Sequence, residues 1–310
     1  MRLVVFAYHD VGYVCLQELL RSGDTVVAVV THDDHPGEEI WFRSVRALAE
    51  QHGIPVFAPE NVNTPEWIER VRAWAPDFIF SFYYRKLLGA ELLSIPRRGA
   101  LNLHGSLLPR YRGRCPVNWV LIHGERETGV TLHYMQVKPD RGDIVGQRAV
   151  EIGDDDTALT LFRKLTVAAA ELMRATYPLL REGRAPRIAQ DQHLASYFGG
   201  RKPEDGRVVW TDGATAVRNL VRAVTHPYPG AYALWRDRKL FIWEVQRADR
   251  VAPGARPGQV LAIDDAGDAV VVQTGDGALR LTRLQLEGDQ ERPAAEAARR
   301  YGLTEGALLA

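Results

Sequence analysis

The chain has 310 residues, enough for two domains, and balances 39 Lys plus Arg against 39 Asp plus Glu, so no net charge draws it to nucleic acid or an anionic membrane. Its 46% hydrophobic and 25% charged content is ordinary for a globular protein, and no stretch nears the roughly 20 apolar residues of a membrane span. The opening Met1 to Ala7 reads into a strand rather than a signal peptide, and Cys15 and Cys115 are too few for a disulfide framework and wrongly spaced for zinc, so the expected location is cytoplasmic.

Residues 3–7 form a β-like apolar run, followed by a helical pattern containing Val14, Leu16, Leu19 and Leu20. Residues 25–31 predict the next strand, 40–52 have helical spacing, and 56–57 a short strand. Residues 65–74 predict a helix with Thr64 as its cap and Pro65 at its first position. A strand at 78–83, a helical segment at 87–93 and a strand at 100–104 follow. Continuous apolar strands alternating with helices predict a doubly wound, mainly parallel α/β sheet, whose sites gather at the carboxyl ends of strands.

Residues 115–123 are helical, and 129–135 and 143–150 predict strands on either side of a turn at 138–142. The longest helical pattern covers 157–180, and 184–205 reads as a connector rich in Gly, Pro and charge. After a helix at 214–224, short strands at 231–235, 240–245, 259–263, 269–273 and 278–284 predict a small antiparallel β-barrel, and the Ala-rich stretch from Arg292 a terminal helix. The expected domains are 1–203 and 204–310.

Chemistry concentrates at Asn102-Leu103-His104. Side chains at i and i+2 share a face of a strand, so an amide and an imidazole should project together at a strand end. That pair suits acyl transfer, one group polarising a carbonyl oxygen while the other handles protons. Asp140 lies in a Pro-Asp-Arg-Gly turn. Its carboxylate would stabilise an imidazolium if the turn folds over that strand end.

The run from Asn102 to Gly113, then Thr128 to His133, then Asp140 to Gly142, resembles the formyltransferase superfamily. The likeness extends through Val5 to Asp10, Thr31-His32 through Pro36-Gly37-Glu38, Phe80 to Arg85, Asn118 to Leu121 and Pro227 to Ala231. Within the superfamily the chain is most similar to the transformylase half of polymyxin-resistance enzymes, which formylates the 4-amino group of UDP-4-amino-4-deoxy-L-arabinose. The resemblance implies a Rossmann-like folate domain followed by a small OB-like barrel. It implies 10-formyltetrahydrofolate as formyl donor and no metal. Asn102 and His104 would then donate to the carbonyl oxygen, with Asp140 holding and tuning His104. Lys86, Leu87 and Leu88 would offer backbone groups to the pterin, Gln136, Val137, Lys138, Pro139 and Asp140 a second backbone edge, and Arg114 a further folate contact. Candidates for the sugar nucleotide are Arg112 and Arg201 at the diphosphate, and Tyr111 and Asn118 beside the base or sugar.

The departures are few. Cys115 stands where Ala is usual, Pro227-Tyr228 where Pro-Trp is frequent, and Gly200 where relatives tend to carry a basic residue, which removes a phosphate contact at that position. The bifunctional relatives continue into a decarboxylase, so a free-standing or excised transformylase with a separate decarboxylase partner is expected. His32 and His35 in an acidic loop read as solvated, His133 as structural, and His226, before Pro227, as a turn residue.

Methionyl-tRNA formyltransferase is the first rival. From residue 204 onward the chain has 14 Lys plus Arg against 15 Asp plus Glu, which offers no phosphate track. Another amino-sugar nucleotide is the nearer rival. An inactive folate- or nucleotide-binding scaffold would have no need of Asn102, His104 and Asp140 together. A nicotinamide enzyme lacks its signature, because the first strand leads into Tyr8-His9-Asp10-Val11-Gly12 without a glycine-rich fingerprint.

Overall fold

The computed structural model describes every residue except His35, Pro36, Glu38, Asp249, Arg250, Val251 and Pro253. The expectation for His35 lies outside the described residues. The chain forms two compact units, one of Met1–Pro116, Glu127–Glu151 and Phe162–Gly199, the other of Val117–Arg126, Ile152–Leu161 and Gly200–Ala310.

The first unit is built on a seven-stranded sheet of order β3-β2-β1-β4-β5-β7-β8. Its strands are β1 (Arg2–Ala7), β2 (Thr25–Val30), β3 (Val56–Phe57), β4 (Phe78–Phe82), β5 (Gly99–His104), β7 (Glu127–Tyr134) and β8 (Ile144–Glu151). The first five pair in parallel, whereas β7 runs antiparallel to both β5 and β8. A separate short pair, β6 (Arg112–Gly113) and β9 (Tyr197–Phe198), runs in parallel.

Alternation along the strands divides the core into two layers. Val4, Phe6, Ile79 and Ala100 pack with Ile68 and Val71 of α3 (Pro65–Ala73) and Leu92 of α4 (Ala90–Ser94). On the opposite face Phe80 meets Tyr177 of α6 (Ala158–Glu182) edge-on. Gly12 of α1 (His9–Arg21) lies so close to Ala7 and the Phe82 carbonyl that a Cβ would come within 3.1 and 3.2 Å of them. Helices on both faces are the reason the strands read as continuous apolar runs.

Local chemistry sets the helix starts. Thr64 accepts from the Trp67 amide and Pro65 opens α3, as the sequence predicts. The helix expected over 40–52 is shorter, α2 (Val45–Gln51), because Ser44 caps the Ala47 amide at 3.1 Å and fixes the entry there. The helix expected from residue 87 begins at Ala90. Asn63 acts like a strand of peptide beside residues 87–89, donating to the Leu87 carbonyl at 2.9 Å and accepting from the Gly89 amide at 2.6 Å, which holds that segment out of the helix.

The second unit holds α7 (Ala214–Val224), α8 (Ala294–Tyr301) and a six-stranded antiparallel sheet. Its path runs β10 (Ala231–Trp235), β11 (Arg238–Arg247), β14 (Ala278–Leu286), β13 (Ala269–Gln273) and β12 (Val260–Asp264), with β15 (Arg292–Pro293) against β14. No ladder joins β10 to β12 among the described residues. The last residues close that gap: Leu309 and Gly306 donate to the carbonyls of Gly258 and Val260, and Ala310 exchanges hydrogen bonds with Leu234. Helix α5 (Pro116–Ile122) straddles the boundary between the units in sequence. No helix among the described residues is long and apolar enough to cross a membrane.

Candidate active site

Asn102 and His104 emerge from the same face of β5 near its carboxyl end. The ladder with β7 places His133 opposite Asn102 and Thr131 opposite His104. His133 is 1% exposed, and burial pushes its imidazole down to about 4, the nearby Asp140 carboxylate only partly offsetting the effect. It is therefore neutral near neutral pH. Its Nδ1 lies 2.8 Å from the Tyr134 carbonyl, an acceptor only, so Nδ1 carries the hydrogen and Nε2 is bare. Asn102 Nδ2 donates to that bare nitrogen at 3.2 Å. This bond fixes the amide, turning its N–H groups and not its oxygen towards His133.

The same reasoning assigns His104, which is 7% exposed. Its Nε2 lies 2.8 Å from the Tyr111 carbonyl and must donate to it. Nδ1 then faces the Asp140 carboxylate, 3.6 Å from Oδ1. The Asp140 carboxylate is held in turn: Oδ2 accepts from the Gly113 amide at 2.9 Å, and Oδ1 sits between His104 and His133, 3.7 Å from the latter's Nε2. The sheet and two loops thus bring Asn102, His104, His133 and Asp140 together. His133 is structural in a specific sense, since it orients Asn102; its signal in the sequence is its place at the end of the Thr128 to His133 run.

The expected folate residues are distributed as follows. Gln136, Val137, Lys138 and Pro139 form an exposed edge leading into Asp140, and Val137 is 69% exposed. Leu87 is exposed and Leu88 buried. Lys86 is tied down, its Nζ donating to the carbonyls of Pro59 and Glu60 at 2.9 and 2.6 Å. It walls a cavity of about 390 Å³ together with His32, Ala58, Pro59, Glu60 and Arg85. Arg114 is exposed, and its guanidinium has no hydrogen-bond or ion-pair partner among the described residues.

Three of the expected sugar-nucleotide residues require correction. Arg112 is 2% exposed, its guanidinium donating to Gln190 Oε1 and Gln192 Oε1, so it faces the interior rather than a diphosphate. The Tyr111 ring is buried and stacked on Phe198 at 5.0 Å, while its carbonyl orients His104. Asn118 is buried in the second unit, where its amide donates to the Ala223 carbonyl at 2.7 Å. Arg201 also belongs to the second unit; its guanidinium lies over Trp119 and donates to the Asp205 carbonyl. His32 is packed rather than solvated, stacking on Tyr84 at 4.3 Å and accepting from the Arg85 amide. His226 stacks on Trp243 and pairs with Glu291. Among the described residues, no three His, Cys, Asp or Glu side chains are grouped as metal ligands.

A mixed α/β sheet carrying an amide, an imidazole and a carboxylate at a strand end has the groups that acyl transfer requires. The formyl transferase family model matches residues 1–176 and that of the formyl transferase C-terminal domain matches 201–302, so the chain belongs to the formyl transferase family. Among solved structures, an N-formyltransferase from Helicobacter canadensis, in complex with folinic acid and dTDP-3-aminofucose, superposes with a TM-score of 0.67 at 18% identity, covering 94% of this chain and 99% of that one. The sugar 3N-formyl transferase WlaRD, solved in the presence of dTDP and 5-N-formyl-THF, gives 0.68 at 17% identity over 94% and 99%. HypX from Aquifex aeolicus in complex with tetrahydrofolic acid gives 0.65 at 21% identity; it is matched over 98% of this chain, which spans only 48% of HypX.

Proposed function

We propose that the protein transfers the formyl group of 10-formyltetrahydrofolate to the amine of an amino-sugar nucleotide, with UDP-4-amino-4-deoxy-L-arabinose as acceptor, in the lipid A modification route of polymyxin resistance. The observation that carries this reading is the convergence of Asn102, His104 and Asp140 at the carboxyl end of β5. The folate supplies an already activated formyl group. The exposed 136–139 edge and the Lys86 cavity suit its ring and chain. Because Asn63 occupies the Leu87 carbonyl, Lys86 and Leu88 are the better candidates for main-chain contacts to a pterin.

As an amine attacks a formyl carbon, negative charge grows on the carbonyl oxygen. Asn102 has a second Nδ2 hydrogen, not used by His133, to give to that oxygen. His104 Nδ1 is the nitrogen whose protonation can change, since Nε2 is committed to Tyr111. Asp140 Oδ1 beside it stabilises the imidazolium, so His104 can take the proton shed by the attacking amine; as the carbonyl re-forms, the bond from the formyl carbon to N10 breaks, that proton passes to N10, and tetrahydrofolate leaves. The diphosphate needs exposed cations. With Arg112 buried, we assign that task to Arg110 and Arg141, which flank the site in sequence and whose guanidinium groups are exposed.

The test is incubation with 10-formyltetrahydrofolate and a panel of UDP- and dTDP-amino sugars and methionyl-tRNA, scored by mass gain of one formyl group. Formylation of the amino-arabinose nucleotide is expected; preferential formylation of a dTDP-amino sugar or of the tRNA would overturn the acceptor. Arg110→Ala and Arg141→Ala should raise KM for the sugar nucleotide on the order of 10-fold, and KM for the folate less. Unchanged KM values would remove both residues from the diphosphate.

A further inference from the structure

Asp140 sits in a backbone conformation that needs support. Its φ is +57°, in the left-handed region, where an Asp is tolerated at some strain. The turn's two outward carbonyls, those of Asp140 and Gly142, are both taken by one amide group: Gln190 Nε2 donates to them at 2.9 and 2.8 Å. Gln190 is buried and comes from the connector after α6, some fifty positions away in sequence. A primary amide can sit either way round, and only one orientation presents its N–H groups to the turn.

Arg112 decides which. Its Nε and Nη2 both donate to Gln190 Oε1, at 3.2 and 2.6 Å, and Nη1 donates to Gln192 Oε1 at 3.0 Å. A guanidinium has no acceptor, so it can take only the oxygen end of the amide and thereby turns the nitrogen end to the Asp140 turn. The following residue completes the arrangement, because the Gly113 amide binds Asp140 Oδ2. Strand β6 thus holds the Asp140 backbone through Arg112 and Gln190, and the Asp140 carboxylate directly through Gly113. A buried guanidinium with neutral amide partners is a costly element of a core that apolar side chains could fill. Its placement is explained by what it orients.

We propose that Arg112 and Gln190 are positioning residues that fix the carboxylate of Asp140 against His104, an inference that rests on the formyl-transfer reading for its kinetic consequence. Misplacement of a catalytic group by about 1 Å is enough to slow turnover on the order of 100-fold.

Gln190→Glu isolates the device. The new carboxylate still accepts the Arg112 fork, so the buried cation keeps a partner, but it presents oxygen instead of N–H to the two turn carbonyls. We expect kcat to fall by about 10- to 100-fold while KM for folate and sugar nucleotide changes little. Combined with Asp140→Asn, Gln190→Glu should add almost nothing, because both act through the same carboxylate. A wild-type kcat in Gln190→Glu, or a loss that multiplies with that of Asp140→Asn, would overturn the proposal. Arg112→Lys keeps the charge and loses the fork, and should reproduce the effect if the glutamate variant does not fold. The His104 imidazole nitrogen resonances provide a readout independent of turnover, and should move in Gln190→Glu as they do in Asp140→Asn. If they move while the wild-type protein formylates no acceptor, the formyl-transfer reading fails and the clamp stands; if they stay in place in folded variants, the clamp fails.

Discussion

Replacing Asn102 by Ala tests the core of the proposed chemistry. Asn102 Nδ2 has two hydrogens and one is committed to His133 Nε2 at 3.2 Å, so the change removes one donor from the developing oxyanion. One such donor is worth about 2.7–4 kcal/mol of transition-state stabilisation, or roughly 100- to 1,000-fold in kcat. The variant also leaves the buried Nε2 of His133 without its donor, which should lower stability by about 1–3 kcal/mol, a melting shift of several degrees that keeps the protein folded at assay temperature. Asn102→Asp should be slower still: it supplies no N–H and sets a negative charge beside the nitrogen that already has Asp140 Oδ1 at 3.7 Å. Single-turnover transfer, followed by tetrahydrofolate release at saturating acceptor, separates chemistry from binding. If Asn102→Ala retains more than about a tenth of wild-type turnover, or Asn102→Asp is the faster of the two, Asn102 is not the oxyanion donor.

His133 makes stability pH-dependent. Its folded value of about 4 lies below the ordinary 6.5, so the unfolded chain binds the extra proton; its contribution is fully present above 6.5 and is lost as pH falls towards 4. Melting curves between those limits should fall with pH more steeply for wild type than for His133→Gln, and parallel curves would refute the buried neutral ring. Gly113→Ala should destabilise the protein and slow turnover together, because at φ +98° an added Cβ would collide with the Phe198 carbonyl and displace the amide that holds Asp140. Left-handed strain alone is worth about 1–3 kcal/mol; a Gly113→Ala variant with wild-type melting and kcat would refute that account.

Much of this arrangement is legible in the chain. Period-two alternation puts Asn102 and His104 on one face of a strand, and the apolar continuity of the strands gives a two-faced sheet with its site at a strand end. What is not legible depends on segments that meet only in the folded state. Gln190 lies in a stretch that reads as connector, and nothing local ties it to the turn at Asp140. Arg112 reads as exposed because most arginines are, yet its amide partners lie about eighty positions downstream. The late start of α4 traces to Asn63, and the closure of the second sheet to residues 306–310, both long-range pairings that leave no periodic signal.

In the mechanism we propose, the surroundings of the two imidazoles favour one of them as carrier of the moving proton. Asp140 Oδ1 is almost equidistant from two imidazole nitrogens, 3.6 Å from His104 Nδ1 and 3.7 Å from His133 Nε2. Distance alone would make the rings equivalent partners. They differ in what else they touch. His133 Nε2 already accepts from Asn102, so a proton there would expel the amide from its place and charge a ring that is 1% exposed. Among the described residues His104 Nδ1 meets the Asp140 carboxylate alone, while its Nε2 hydrogen is held by a carbonyl that accepts in either protonation state. The proposed mechanism therefore routes the proton through His104 and not His133. The second imidazole stays neutral and serves to aim the amide. One carboxylate can then stabilise a cation on one side without disturbing the neutral hydrogen-bond chain on the other.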